Sequence, residues 1–351
     1  MRDIRGINLL ETVKREVTRK RHPQARRLPT FYPSSASVKL ADGRIEGGCQ
    51  RADWYRIHGV PESNPTEFYI SMIHRLGKSV EDVVVDAMKT AGIYESNAVK
   101  FYDPILNVSG ELDIVGRYRE EDQSIGYYIT ECKSVYGNGA VETITGRSRA
   151  YKGQAAFRPT PKTSNLLQVM VYLDQFSAER GSSFVLNGAK LLYLPRDKPN
   201  DGREYTVYLV TKETLKDRTV SFGKEEMDAY LAEMEDGKHY AFISTPDFPD
   251  YVELAFTLED IYNRWLAEKQ MFAEGRIPER SYKRFYDQED VDFLVSIGEL
   301  SKTAQENFKK DRDKPGHFLC QSYCEFRDFC YTRQGTPRKE ADLVGVRNES
   351  K

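Results

Sequence analysis

No stretch of this sequence approaches the roughly 18 to 20 consecutive apolar residues needed to span a bilayer. A membrane-spanning helix is excluded, and no membrane partner is expected. The opening segment, MRDIRGINLLETVKREVTRKRH, is charged throughout and lacks the apolar core of a signal peptide. The expected location is therefore the cytoplasm. Charge of one sign is also missing: 52 Lys and Arg stand against 54 Asp and Glu, a net of −2. The molecule as a whole is no electrostatic magnet for a polyanion, so only local patches can hold one. Cysteine is scarce, with five in all, and internal repeats are absent. In a reducing compartment those cysteines argue for metal or cluster binding rather than disulfides.

What is present fits a globular chain. Its 351 residues are 39% hydrophobic and 30% charged, enough for one large domain or two ordinary ones. Two segments are densely basic: KREVTRKRHPQARR (14–27), and GRSRAYKGQAAFRPTPK (146–162), which adds Gly and aromatics. Between residues 67 and 94, Ile73, Leu76, Val80, Val83, Val84 and Ala87 recur at helical spacing and predict one long amphipathic helix ended by Gly92. GELDIVGRY and IGYYITECKS predict two strands joined by the turn EEDQS. NLLQVMVYLDQF (165–176) predicts a helix, AKLLYLPR and REYTVYLV two more strands, and 223–235, 257–274 and 288–309 further helices. The expected organisation is a basic arm over 1–30, an α/β core over 31–215 with a mobile loop at 137–164, and a helical region over 216–351.

The two predicted strands carry unusual charges. Side chains two apart on a strand share a face, so Glu131 and Lys133 point together, Cys132 points away, and Glu111 pairs in direction with Asp113. In a hairpin, Asp113 approaches Glu131. Two carboxylates forced together resist ionising at once, and a hard divalent cation removes the conflict. Oxygen ligands with room for water favour Mg²⁺ or Mn²⁺ over Zn²⁺. An adjacent ammonium suits orientation of a water or stabilisation of charge building on a phosphate, and such metals suit phosphodiester hydrolysis. The plain alternative is a solvated surface pair. Further candidates stand nearby in sequence: Glu81 beside Asp82 as a third carboxylate, and Gln168 and Tyr172 four apart on one helix face.

This set resembles the PD-(D/E)xK nuclease superfamily, and within it the RecB-like exonuclease branch. Asp113 matches the motif aspartate, and Glu131-Cys132-Lys133 matches the (D/E)xK element. Gln168 and Tyr172 in QVMVY match the helical Q-hydrophobic-x-x-Y motif. Glu81 stands where that branch places a metal-binding His or Glu, and because the branch often uses His there, His74, seven residues earlier, is its rival. The resemblance implies a mixed central sheet flanked by helices and a Mg²⁺- or Mn²⁺-dependent DNA exonuclease. Asp113, Glu131 and Glu81 would bind metal, Lys133 would assist the attacking water, and Gln168 and Tyr172 would position the lysine or substrate.

Cys320, Cys324 and Cys330 form a C-x3-C-x5-C trio, and distant Cys49 can supply a fourth thiolate. A four-cysteine site can hold Zn²⁺ or an iron–sulfur cluster, with unliganded thiols as the remaining reading. Zinc sites usually come as two local pairs, unlike one cysteine plus three. The one-plus-three layout resembles the 4Fe–4S staple of AddB-type and CRISPR-associated RecB-like nucleases, as do CQRADWYRIHGV after Cys49 and AEGRIPER ahead of the trio. The resemblance implies a structural 4Fe–4S cluster that packs the segment around Cys49 against the C-terminal region. Cys132, facing away from Glu131 and Lys133, is expected to pack as a small apolar residue.

Beside such a core, Arg147, Arg149, Lys152 and Arg158 become candidate phosphate contacts, and Tyr151 and Phe157 candidate stacking rings for unpaired bases. The G-x4-G-K-[ST] phosphate loop is absent, so any unwinding has to come from a helicase or recombination partner. Phage or bacterial recombination, repair or defence is the expected setting. Two other readings stay open: a non-catalytic DNA-binding scaffold subunit, and an RNA nuclease.

Overall fold

The structure is a computed structural model that describes residues 29–64, 68–146, 158–182, 184–332 and 337–338. Two compact units are distinguished: one formed by 30–48 and 68–267, the other by 49–67 and 268 onward.

The first unit is α/β. A short antiparallel pair, β1 (Ser37–Lys39) and β2 (Ile45–Gly47), precedes the long helix α1 (Phe68–Thr90). Gly92, at φ +74°, turns the chain out of α1, and the amide of Ile93 closes the end on Met88 O at 3.0 Å. Seven strands then build the central sheet, beginning with β3 (Tyr94–Asp103), β4 (Val108–Arg119) and β5 (Ile125–Val135). Helices α2 (Asn138–Thr145) and α3 (Thr163–Gln175) lie in the segment leading to β6 (Leu186–Pro195) and β7 (Arg203–Val210). After α4 (Lys212–Lys216) and α5 (Lys224–Glu233) come β8 (Tyr240–Thr245), β9 (Phe248–Glu253) and α6 (Leu258–Ala273), of which residues 258–267 belong to this unit. The sheet order is β3-β4-β5-β6-β7-β8-β9, antiparallel everywhere except β5 with β6. This is the mixed sheet with flanking helices expected from the sequence.

Several details differ from the expectation. The sheet continues past residue 215 through β8 and β9, whose apolar runs YAFIST and PDYVE are those of buried strands. β3 alternates polar and apolar residues too weakly to announce itself. Part of the expected loop 137–164 is helix α2. The stripe that α1 buries is Val84, Val85 and Met88, packed on Ile114 and Cys132. Val83 and Leu76, which the periodicity placed inside, are 66% and 47% exposed. The expected apolar face is therefore rotated by one residue, and Glu81, three and four positions before Val84 and Val85, comes to lie on the buried stripe. Helix α3 is apolar nearly all round and buried from Leu166 to Leu173, as befits a helix packed against β6 and β7 and covered again by residues 33–35.

The second unit carries helix Gln50–Ile57, helices Gln288–Ser296 and Lys302–Lys309, a π-helical turn at Leu319–Tyr323 and the short helix Arg327–Cys330. The single helix expected over 288–309 is broken at Gly298, which takes φ +81°. A new start follows at Ser301, whose hydroxyl accepts from Ala304 N at 3.1 Å. Within this unit Ser63 and Asn64 both donate backbone amides to Glu325 O at 2.9 Å, tying the Cys49 segment to the C-terminal cysteine region. The basic arm expected at 1–30 lies outside the described residues apart from its last two. No helix among the described residues is long and apolar enough to cross a membrane.

Candidate metal centre and cysteine site

The first site forms where two strands part. β4 pairs with β5 from Arg119↔Ile125 down to Ile114↔Thr130, and there the ladder stops. Upstream, β4 continues paired only with β3, while β5 continues from Glu131 paired with β6. At the fork the amide of Cys132 finds no carbonyl across the gap and donates instead to Asp113 Oδ2 at 3.3 Å. Extending the register by one step sets Asp113 opposite Glu131, both on the face away from Ile114 and Cys132. The side-chain alternation thus sends the carboxylates and Lys133 toward α3 and sends Cys132 into the α1 core, where burial lifts its thiol to about 12.

The centre is tightly connected. Lys133 Nζ donates to Glu131 Oε1 at 2.5 Å and to Gln168 Oε1 at 3.1 Å. Gln168 Nε2 donates to Tyr172 Oη at 3.1 Å, and that hydroxyl donates to Glu111 O at 3.0 Å. The helical i, i+4 spacing of Gln168 and Tyr172 makes this relay possible and fixes the lysine from α3. Glu131 is 1% exposed, and its Oε2 has no hydrogen-bond partner among the described residues. Burial pushes the carboxyl of Asp113 up to about 8, and the negative charge of Glu131 adds to that rise, with a further contribution from Glu81. Burial works against the charge on Lys133, but Glu131 and Asp113 outweigh it and hold the ammonium above its ordinary range. A carboxyl whose ionisation is opposed by burial and by a neighbouring carboxylate, beside a second carboxyl with an unsatisfied buried oxygen, is what a hard cation relieves.

Glu81 is 16% exposed in its side chain and is held by Lys78 Nζ at 2.5 Å. Lys78 was not singled out by the sequence reasoning; its signal is the i, i+3 spacing to Glu81. Asp82 and His74 are exposed. Glu111 turns outward, 52% exposed, with Lys100 at 3.7 Å. Its backbone carbonyl, not its carboxylate, serves the site. Arg147, Arg149, Lys152, Tyr151 and Phe157 lie outside the described residues. Arg158 lies with its guanidinium 4.9 Å from the centre of the Tyr251 ring on β9, four strands from β5, so it stands apart from the carboxylates.

In the second unit, Cys49, Cys320, Cys324 and Cys330 line one small cavity together with Tyr282 and Leu319. All four are free of disulfides. Burial raises the thiols of Cys320, to about 12, of Cys324, and of Cys330, to about 11; the neighbouring sulfurs add to the effect in each. Three thiols that resist ionising, gathered with Cys49 around one cavity, suit a cationic group that would accept their charge. Cys320 Sγ donates to Tyr282 O at 3.8 Å and Cys330 Sγ to Tyr55 Oη at 3.7 Å. Arg280, from the AEGRIPER segment, donates to Cys330 O at 3.2 Å, and its positive charge counters the rise at Cys320 and Cys330. Among the described residues, no group of three or more His, Cys, Asp or Glu side chains stands already closed around a metal-ion position. No family model matches the chain, and no curated protein matches it in sequence.

Proposed function

We propose that this chain is a metal-dependent nuclease of the PD-(D/E)xK type, a DNA exonuclease that hydrolyses phosphodiester bonds. The observation that carries the reading is the meeting of Asp113, Glu131, Lys133 and Gln168 at the β4–β5 fork, with Glu131 Oε2 buried and unpartnered among the described residues. Asp113 and Glu131 would hold Mg²⁺ or Mn²⁺, with Glu81 completing the set. The ion, when bound, supplies Lewis acidity and a water of lowered pKa. Lys133 orients the attacking water and offsets charge developing on the phosphate, and Gln168, steadied by Tyr172, fixes the ammonium. Glu131 accepts from the same ammonium, so the base and the acid hold each other in register.

The four-cysteine cavity supports a second part of the proposal: Cys49, Cys320, Cys324 and Cys330 hold a 4Fe–4S cluster in a structural role. One layout feature favours a cluster over zinc, the single distant cysteine joined to a local trio. The test combines end-labelled single- and double-stranded DNA, Mg²⁺ or Mn²⁺, and the Lys133→Ala variant, with iron and sulfide measured on the same preparation. Metal-dependent nucleotide release that disappears in the variant is expected. Cluster-replete protein that binds DNA without cutting it, under any divalent cation, would instead make the chain a scaffold subunit.

A further inference from the structure

The sheet face opposite the carboxylates carries a separate cavity of about 350 Å³. Three tyrosines from three strands form much of its lining: Tyr118 of β4, Tyr128 of β5 and Tyr208 of β7. Each is set across from a glycine on the neighbouring strand. Tyr118 pairs with Gly126 and Tyr128 with Gly116. One step beyond the Ala189↔Val207 pair, Tyr208 meets Gly188. The rings fill the space the glycines leave: a Cβ would come within 2.5 Å of the Tyr118 ring at Gly126, 2.4 Å of Tyr128 at Gly116 and 2.9 Å of Tyr208 at Gly188. Three repeats of one cross-strand device lay three rings down over backbone; the Tyr208 ring also carries the Arg218 guanidinium, 4.0 Å from its centre, so Tyr118 and Tyr128 supply the stacking surface of the cavity.

The rings are also held in place. Tyr128 belongs to the core under α1, and Tyr208 packs against the core formed with α5, so the cavity lies between two packed clusters. Its polar edge is ordered. Asn187 Nδ2 donates to Tyr118 Oη at 2.9 Å and to Glu120 Oε1 at 3.0 Å, and Lys190 Nζ donates to Glu204 Oε1 at 2.8 Å and to Thr206 Oγ1 at 2.9 Å.

We propose that this cavity stacks an unpaired nucleobase, giving the chain a second nucleic-acid subsite across the sheet from the carboxylates. A preformed aromatic floor with an amide and an ammonium at its edge suits a flat heterocycle with a polar rim. The volume takes one base with its sugar, not a duplex. Glu120 and Glu204 offset the local positive charge, so the base carries recognition rather than the phosphate, and binding here depends little on salt. The proposal rests on the reading that the substrate is nucleic acid.

The test uses the full-length protein without divalent cation and a short single-stranded oligothymidylate carrying 5-iodouracil. Ultraviolet cross-linking followed by peptide mapping is expected to mark Tyr118, Tyr128 or Tyr208. Tyr118→Ala, at a surface position, should weaken binding about 5-fold or more, the loss that follows removal of one stacking ring. Tyr118→Phe should restore it, which a merely structural hydroxyl contact would not allow. Cross-links found only elsewhere, or unchanged affinity in folded Tyr118→Ala and Lys190→Ala, overturn the subsite. Metal-dependent cleavage with no change in Tyr118→Ala leaves the nuclease and removes the subsite; cross-links at these rings without cleavage do the reverse.

Discussion

Lys133 and Gln168, 35 positions apart in the chain, meet at 3.1 Å, and this contact joins the strand that carries the acid–base pair to helix α3, which is buried from Leu166 to Leu173. Gln168 has no charge to offer. Its amide gives the ammonium a fixed direction, and its other end is held by Tyr172. Gln168→Ala should therefore lower turnover by about 10-fold or more while leaving DNA affinity nearly unchanged, whereas Lys133→Ala should cost about 100-fold or more. Separate kcat and Kd measurements decide it; equal losses in both would assign Gln168 to substrate binding.

Removing the ammonium also exposes the cost of the carboxylates. Lys133→Met leaves Glu131 buried beside Asp113 with no compensating charge. The lysine is partly exposed, so the full penalty of a broken buried pair is screened, and a loss of about 1–3 kcal/mol is expected. Urea denaturation of metal-free protein measures it, and added Mn²⁺ should narrow the gap between variant and wild type.

The proton on Asp113 sets a pH dependence. Its carboxyl titrates near 8 in the folded protein against an ordinary 3.8. The folded state therefore holds a proton that the unfolded chain releases. The stability contributed by this group is complete below about pH 4 and falls as pH rises toward 8, by at most about 1.4 kcal/mol per unit. Asp113→Asn should lack that slope, and saturating Mg²⁺ should flatten it in the wild type. Parallel denaturation series at several pH values, with and without the ion, give the answer. A wild-type slope identical to that of Asp113→Asn would mean that Asp113 ionises at its ordinary pKa.

The rotated face of α1 is open to a direct comparison. Val83→Asp should change stability by no more than about 0.5 kcal/mol, because the side chain stands in solvent. Val85→Asp should cost about 3 kcal/mol or more, because it buries a charge against Ile114 and Met88. Thermal melts of both variants distinguish the observed phase from the one that periodicity alone predicts.

The cysteine site predicts coupled losses. Cys49→Ser should strip iron from the protein and lower its melting temperature, although Cys49 is remote in sequence from the other three. Because the thiols of Cys320, Cys324 and Cys330 sit above their ordinary range, loading must release protons, so iron uptake should weaken as pH falls below neutrality. Iron and sulfide content across a pH series measures this. Full cluster content in Cys49→Ser would exclude Cys49 as a ligand.

The sequence by itself determined the local elements and the chemical vocabulary. Strand alternation alone separates Glu131 and Lys133 from Cys132, and helical spacing alone pairs Gln168 with Tyr172, because both depend on backbone geometry that any strand or helix imposes. The cysteine trio and its distant partner could be read from residue types. Tertiary structure decided the rest. β8 and β9 join the sheet through pairings that no local pattern specifies. The phase of α1 was misplaced by one residue because Val83, Val84 and Val85 are equally apolar, and only packing against Ile114 and Cys132 selects which of them turns inward. The opening of the ladder at Asp113 and Glu131 arises because β4 keeps β3 and β5 keeps β6 as partners, a competition between non-local pairings. That fork buries two carboxyls together, and burial beside a like charge is a property of three-dimensional neighbours that a linear sequence does not contain.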